Sequence, residues 1–438
     1  MSICCATLMC HAPIVIPDIG GERGAECEAT TQAMREAARD LVAHQPDVVV
    51  LVSPHAPRAR QGWAVAHGER LDGHFGRFGM EQVRCSAAGA PEAAEHLERA
   101  LAARGLTTAA LEHGPGVDHG STVPLWFLAE QGWSGPTLIV ALPLPGQGGE
   151  DAAGGAIADA AAAASQRWAV LASGDMSHRL TPDAPAGFDE RAQGFDDFVR
   201  AHVAEGDYAR AVRPDPELRE RAAQDVVESL RVAAAACDYK NHRHHSYGYE
   251  GPFGVGYLEA LLYSDGTHDV PRDAMLDLVR DSIRANLEGR PIPSPNWDTP
   301  WDTPKAVFVT LRAPDGELRG CIGRMEPLRG SLAEEIADCA VSSASRDPRM
   351  VPVGADEVDS LRIEVSVLEA PEPTPSRDAL DPHRYGIVVS HGSKRGVLLP
   401  NVPGVDTVEQ QVSIAAQKGQ VDLSGPHEIE RFEVLKIG

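Results

Sequence analysis

Short runs of apolar and β-branched residues alternate with longer amphipathic stretches through the first 263 residues of this chain. This alternation is typical of parallel strands joined by crossover helices, and it predicts an α/β domain with a mostly parallel central sheet and flanking helices. The predicted strands are 3–10, 47–53, 137–142 and 168–172, and the predicted helices are 34–42, 93–103, 152–164, 188–203 and 217–236.

The character of the sequence changes near residue 264. A polar segment at 264–269 leads into Pro271, which suits a first helical turn, and a helix is predicted at 273–287. A proline-rich loop follows at 291–304, and then come alternating strands with only two further helices, predicted at 331–344 and 407–418. This half is predicted to be α+β. We place the domains at 1–263 and 268–438, each long enough to bury its own core.

The charge balance excludes some classes of partner. The chain carries 64 acidic and 40 basic side chains, a formal net charge of −24. Such a field repels phosphate backbones and anionic membrane surfaces, so we expect neither nucleic acid nor a membrane as partner.

The first apolar run lacks a basic leader, and the eight cysteines are scattered without a CxxC pair. These features predict a cytoplasmic protein with reduced thiols.

Four histidines lie where a predicted sheet would bind ligands. His11 and His55 each follow a predicted strand, His178 follows the strand at 168–172, and His119 lies in an Asp-His-Gly-Ser segment. Ligands of open α/β sheets bind beyond the carboxyl ends of the strands. Because neutral imidazole is a common metal ligand and also titrates near neutral pH, such a group could supply both metal ligands and a proton-transfer residue.

A carboxylate would complete such a site. Two histidines and one carboxylate on one face of Fe(II) leave three positions open for a chelating substrate and dioxygen. The residues alone leave the carboxylate open, the candidates being Glu250, Asp175, Asp118 and Asp238. Other catalytic templates are excluded, because the sequence has no GxxxxGK[ST] loop, no GxSxG elbow and no GxGxxG fingerprint.

Several of these segments, in this order, resemble a known family. They are His11-Ala-Pro, Ser53-Pro-His-Ala-Pro57, Asp118-His-Gly-Ser-Thr-Val-Pro-Leu125, Ser173-Gly-Asp-Met-Ser-His178 and Tyr249-Glu-Gly-Pro-Phe-Gly254. The chain from residue 1 to about 263 resembles the class III extradiol ring-cleavage dioxygenases of the LigB type, whose fold the MEMO proteins share. The resemblance implies a dioxygenase of aromatic catabolism that opens a small catecholic or aminophenolic ring, with Fe(II) as cofactor and dioxygen as co-substrate.

The resemblance also implies roles for single residues. His11 and His55 match the metal histidines and Glu250 the carboxylate ligand, while His178 matches the acid/base histidine. His119 matches a histidine that lies beside the ligands and contacts the substrate. Members differ at the third ligand, and this chain also offers Cys237, His242, His244 and His245, although we interpret 241–245 as a solvated loop. The alternative is a MEMO-like metal-binding or redox scaffold that cleaves no ring.

The second half resembles the AMMECR family, on Leu318-Arg-Gly-Cys-Ile-Gly323 and Ala344-Ser-Arg-Asp-Pro-Arg349. That resemblance carries no reaction, and in the alternative interpretation this half is a binding module. AMMECR proteins are often encoded with MEMO-like and radical-SAM proteins, which implies a radical-SAM protein as a partner. Cys321 is interpreted as a structural thiol, with Arg319 and Arg346 available for an anion. A homodimer is the default expectation for assembly.

Overall fold

A computed structural model describes residues 3–111, 116–267, 271–297, 301–374, 376–392, 394–400, 402 and 404–438. The chain divides into two compact units, 1–269 and 270–438. The predicted domains ended at 263 and began at 268, and the junction at 268–270 lies outside the described residues. No helix in the described ranges combines the length and the apolar character needed to cross a membrane.

An eight-stranded sheet forms the centre of the N-terminal unit, in the order β6-β3-β7-β2-β8-β1-β10-β9. Its four central strands, β7, β2, β8 and β1, run parallel, and β10 and β9 add an antiparallel edge. A separate two-stranded ribbon is formed by β4 and β5. The strands are β1 Ile3–Met9, β2 Val48–Ser53, β3 Trp63–Val65, β4 Arg70–Phe75, β5 Met80–Ala88, β6 Thr108–Ala110, β7 Thr137–Ala141, β8 Trp168–Ser173, β9 His245–Glu250 and β10 Tyr257–Ser264.

Helices cover both faces of this sheet, because its central strands are apolar on both sides. In β2, Val48, Val50 and Val52 belong to one buried cluster, while Val49 and Leu51 belong to another. Strands buried on both faces are expected in a parallel sheet. The helices are α1 Pro17–Gly20, α2 Glu28–Ala43, α3 Pro91–Ala103, α4 His119–Glu130, α5 Glu150–Ala164, α6 Ala192–Glu205, α7 Tyr208–Ala211, α8 Pro216–Ala222 and α9 Val226–Ala236.

One predicted helix is broken in the structure. The helix predicted over 217–236 is instead α8 and α9, separated at Ala223, whose φ of 53° is left-handed. The carbonyl of Ala222 accepts hydrogen bonds from the Ser177 hydroxyl and from the His178 backbone N–H, at 3.1 and 2.9 Å. This tertiary contact uses the carbonyl at the end of α8 and leaves Asp225 in the gap between the helices.

The C-terminal unit contains two four-stranded antiparallel sheets, β12-β11-β13-β18 and β14-β17-β15-β16. It confirms the predicted α+β class, just as the N-terminal sheet confirms the α/β prediction. The part of the predicted 291–304 loop that the structure describes, which excludes 298–300, holds no helix or strand. The elements are α10 Arg272–Leu287, β11 Ala306–Arg312, β12 Leu318–Arg324, α11 Leu332–Ser345, β13 Arg362–Leu368, β14 Glu372–Pro373, β15 Gly386–His391, β16 Lys394–Leu398, α12 Val408–Gly419, β17 Glu428–Phe432 and β18 Val434–Ile437.

Candidate metal centre

Three histidines converge at the carboxyl ends of the central strands. One ring nitrogen from each of His11, His55 and His119 lies within 4.8 Å of the others. The ring centroids are 4.7 Å apart for His11 and His55, 5.5 Å for His11 and His119, and 4.1 Å for His55 and His119. Three imidazoles this close offer a donor set that suits a divalent first-row metal ion. We call these residues the three-histidine cluster.

Local hydrogen bonds hold His55 and His119 in place. His55 lies two residues beyond β2, and His119 is the first residue of α4. The hydroxyl of Ser53, at the end of β2, donates to Asp118 at 2.7 Å, and Asp118 caps α4 by accepting from the Ser121 N–H at 3.0 Å. One carboxylate therefore ties the strand that positions His55 to the helix that begins with His119.

A second chain of hydrogen bonds orients His11. The Ser173 hydroxyl donates to the carbonyl of Gly120 at 2.6 Å, so its oxygen is left to accept from His11 Nδ1 at 3.0 Å. This assigns the proton to Nδ1 and directs the other ring nitrogen, Nε2, toward the cluster. Gly120 is needed here, since a Cβ at this position would lie 2.7 Å from Ser53 Oγ and 3.2 Å from His55 Cδ2.

Two carboxylates accompany the histidines, and the sequence reasoning missed the nearer one. Oδ2 of Asp225 lies 3.0 Å from His55 Nε2 and 3.5 Å from His11 Nε2, whereas Asp175 lies 3.7 Å from His11 Nε2. Asp225 also accepts from the Asp175 N–H at 2.8 Å. In the sequence, Asp225 is recognisable only as a polar residue ahead of an apolar helical run. Because a continuous helix was predicted over 217–236, this signal of a helix start was not used.

The surroundings shift the pKa values of His11 and His119 in opposite directions. Burial alone would lower the pKa of His11, but Asp175 and Asp225 outweigh it and raise the value to about 9. Burial, together with the neighbouring His55 and His11, lowers the pKa of His119 to about 4. His119 therefore presents a neutral ring near pH 7, and His11 carries a proton that a bound cation would displace.

Glu250, the expected carboxylate ligand, lies outside the three-histidine cluster. Its Oε1 accepts from the backbone N–H and the hydroxyl of Thr30, at 2.7 and 2.5 Å. Thr30 is in the first turn of α2, where backbone N–H groups lack helical partners, so the carboxylate is engaged at a helix N-terminus. The structure thus brings His119, rather than Glu250, together with His11 and His55.

His178 and the alternative ligands that follow residue 236 also lie outside the three-histidine cluster. His178 is in the loop after β8, three residues beyond Asp175, and its buried Nδ1 has no hydrogen-bond partner in the described part of the chain. Asp238 forms an exposed pair with Lys240 at 3.5 Å. Cys237 is buried, and Nδ1 of His242 is 2.8 Å from the carbonyl of Ser264. The remaining alternatives, His244 and His245, belong to the segment 241–245. This segment was predicted to be a loop, but its last residue, His245, begins β9.

The comparisons with known proteins agree with this architecture. Residues 5–259 match the family model of the catalytic LigB subunit of aromatic ring-opening dioxygenase, and residues 276–437 match the AMMECR1 family. The first match covers more than half of the chain. The chain therefore belongs to the LigB family, with an N-terminal LigB/MEMO-like domain fused to a C-terminal AMMECR domain, as the resemblance predicted.

Similar proteins match this chain over very different shares of its length. Protein CA_C1420 from Clostridium acetobutylicum is 29% identical over 98% of both chains. A Thermotoga maritima protein is 47% identical over 29% of this chain and 74% of its own length. The crystal structure of the uncharacterized protein JW3007 from Escherichia coli K12 covers 59% of this chain and 100% of its own, at 17% identity and a TM-score of 0.41.

In the AMMECR domain, the Leu-Arg-Gly-Cys-Ile-Gly motif forms the edge strand β12. The backbone N–H of Cys321 donates to Asp347 at 2.9 Å, and the Thr310 hydroxyl donates to its sulfur at 3.3 Å. Asp347 pairs with Arg349 at 2.7 Å. Arg319 pairs with Glu357 at 2.9 Å, so that guanidinium is already engaged by a carboxylate.

Proposed function

We propose that the LigB domain is a non-haem Fe(II) extradiol dioxygenase that opens a small catecholic or aminophenolic ring and incorporates both atoms of dioxygen. The observation that carries the proposal is the convergence of His11, His55 and His119 at one end of the sheet. Membership of the LigB family supports it independently. The overall reaction needs no external reductant, because the ring supplies the electrons that dioxygen accepts.

The donor set fits such a metal ion. His11, His55 and His119 would hold it, and Asp225 would offset its charge from beside His11 and His55. Bound Fe(II) would supply the redox chemistry that lets dioxygen react with a chelated aromatic ring. The protein's own contribution is to fix the donors through Ser53, Asp118 and Ser173, and to keep the site at the end of a rigid sheet.

His178 is proposed as the proton-transfer residue. It lies in the loop that follows β8, close enough for its charge to interact with Asp175, and outside the three-histidine cluster. A histidine that is not held by the metal is free to take a proton from the substrate hydroxyl and to return it as the ring opens. His119, which resemblance alone placed beside the ligands, is proposed as the third donor.

Anaerobic reconstitution tests the proposal. Metal-free protein would be loaded with Fe(II), mixed with a panel of catechols and 2-aminophenols, and then exposed to ¹⁸O₂ while oxygen uptake is followed. We expect uptake with at least one ring and a product that carries two labelled oxygen atoms. Stoichiometric Fe(II) binding without ring opening across the panel would contradict a ring-cleaving role.

The second candidate function is a MEMO-like metal-binding or redox scaffold that opens no ring. It is favoured by one observation, that the cluster presents three imidazoles and leaves Glu250 bound to Thr30. An all-nitrogen donor set also suits zinc or copper. The Fe(II)-loaded protein distinguishes the two functions, since the scaffold should bind the metal and show no substrate-dependent oxygen uptake with any ring of the panel.

A further inference from the structure

A cavity of about 390 Å³ lies within the AMMECR domain, along one side of α11. Four of its lining residues recur at the three- and four-residue spacing of a single helix face. They are Glu334, Ala337, Asp338 and Val341. Loop residues 292–294 form another part of the wall. Small-molecule sites occupy roughly 300 to 1,000 Å³, so this cavity has the size of a binding site, and no residue of the three-histidine cluster lines it.

The middle of the cavity is apolar and elongated. Ala337 and Val341 are buried on the helix side, whereas Ile292 of the loop is 40% exposed. At 1.5 Å per residue, about 14 Å separate Ala337 from Arg346, the residue that caps the end of α11. A ligand that fills this space therefore has a long apolar body, and its binding removes the Ile292 side chain from water.

Arg346 brings an uncommitted positive charge to this cavity. It is exposed, and its guanidinium takes part in no hydrogen bond or ion pair with any residue in the ranges that the structure describes. The other two arginines of the AMMECR motifs are engaged, because Arg319 pairs with Glu357 at 2.9 Å and Arg349 with Asp347 at 2.7 Å. Of these three arginines, Arg346 is the one available to a ligand.

The carboxylates of the lining already have partners. Glu334 accepts from the Gly330 N–H at 3.0 Å, and Asp338 pairs with Arg329 at 2.8 Å. Their negative charges oppose a multiply charged anion in the same cavity. A single guanidinium matches a single carboxylate through two parallel hydrogen bonds. The lining therefore favours a ligand with one negative charge, held by Arg346.

From this arrangement we infer that the AMMECR domain binds an elongated organic monocarboxylate, with its apolar body along α11 and its carboxylate on Arg346. The inference does not depend on ring cleavage, since it uses only residues of the C-terminal domain. It assigns to this domain a binding site and a ligand class of its own.

Octanoate and octanamide are a matched pair of probes, because they share one chain and differ in charge. Each would be titrated, below its micellar concentration, into the full-length protein with ¹³C-labelled isoleucine and valine methyl groups, followed by NMR. We expect the signals of Ile292 and Val341 to shift with a Kd roughly tenfold lower for octanoate, from a charge-assisted hydrogen bond at an exposed arginine. Acetate, which lacks the chain, should bind more weakly than octanoate.

Variants locate the two parts of the site. Arg346→Gln should remove the preference for octanoate, while Arg362→Gln, which changes an exposed arginine of the same domain outside the cavity, should keep it. Ile292→Asn should weaken the binding of both probes, which is then followed at Val341, because it removes apolar contact. The signal of Val365, which is buried in β13, shows whether each variant is folded.

Three results would overturn the inference. Equal affinity for octanoate and octanamide would refute the ligand class, and a preference that survives Arg346→Gln would refute the assignment to Arg346. Signals of Ile292 and Val341 that neither probe moves would show that the cavity is not the site. A preference that weakens as salt concentration rises, and only while Arg346 is present, supports it. None of these results bears on ring opening, so the proposed function is tested separately.

Discussion

Glu259 should make the stability of the LigB domain strongly dependent on pH. It lies on β10 and is fully buried, and neither carboxyl oxygen has a hydrogen bond of ordinary geometry to any described residue. Burial, only partly offset by the Cys10 thiol and reinforced by the charges of Asp175 and Glu250, raises the pKa of Glu259 from 4.5 to about 8. The folded domain therefore binds this proton more tightly than the unfolded chain does.

The sign and size of the effect follow from that difference. Below pH 4.5 both states hold the proton, and above pH 8 both have lost it, so the free energy of unfolding falls as pH rises between these values. The full displacement corresponds to a loss on the order of 5 kcal/mol, at about 1.4 kcal/mol for each pH unit. Glu259→Gln removes the titration and should leave the domain several kcal/mol more stable than wild type at pH 8.

Urea unfolding at pH 5, 6, 7 and 8 measures the effect. Pulse proteolysis, with peptides from β1 and β10 quantified by mass spectrometry, reports on the N-terminal unit separately from the AMMECR domain. Glu69→Gln, which changes an exposed carboxylate of the same unit, is the control and should follow the wild type. Parallel curves for the wild type and Glu259→Gln across this range would refute the reasoning, because they would show that Glu259 does not titrate there.

Three further predictions concern the site. His119→Ala should weaken metal binding by more than the roughly 10- to 100-fold that is typical when a hydrogen-bond partner of a ligand is lost. Glu250→Gln should retain the metal. A competitive chelator titration measures both affinities, and equal losses would show that Glu250 is a ligand. His178→Ala should keep Fe(II) but lose roughly 10²- to 10⁴-fold in turnover, as shown by metal content beside kcat, and loss of metal would make it a ligand. Gly120→Ala places a Cβ 2.7 Å from Ser53 Oγ, so it should lower the free energy of unfolding in urea by about 1 to 3 kcal/mol and should also weaken metal binding. If neither quantity changes, the Ser53 side chain can move away without cost.

The strands and histidines at their ends were predictable because their signals are local. The run at 48–53 is apolar on both faces, and His55 follows it directly, so a buried parallel strand with a ligand beyond its end is readable from sequence. The resemblance to the AMMECR family allowed the second half of the chain to be assigned from sequence as well. These predictions required no knowledge of which segments meet in space.

Asp225 could not be predicted in the same way. Asp225 enters the site because the Ala222 carbonyl is bound by Ser177 and His178, a contact across 45 residues of sequence for Ser177. Periodicity cannot show a helix break that a distant loop imposes. Glu250 shows a different limit, since resemblance assigns it to a metal whereas its carboxylate accepts hydrogen bonds from Thr30 at the N-terminus of α2 and lies outside the three-histidine cluster.

The β4–β5 ribbon has an implication for how this family can diversify. It forms a sheet of its own and contacts α4 through Cys85, whose thiol donates to the Thr122 carbonyl at 3.6 Å. The three-histidine cluster lies instead at the ends of the central strands and at the start of α4. Arg77 and Phe78 at its tip are exposed and border a cavity beside His55 and His119, and they can change without altering a buried strand. Changes selected on the ribbon would thus leave the three-histidine cluster intact, and a library randomised only at 77 and 78 would sample them without the loss of folding that core changes bring.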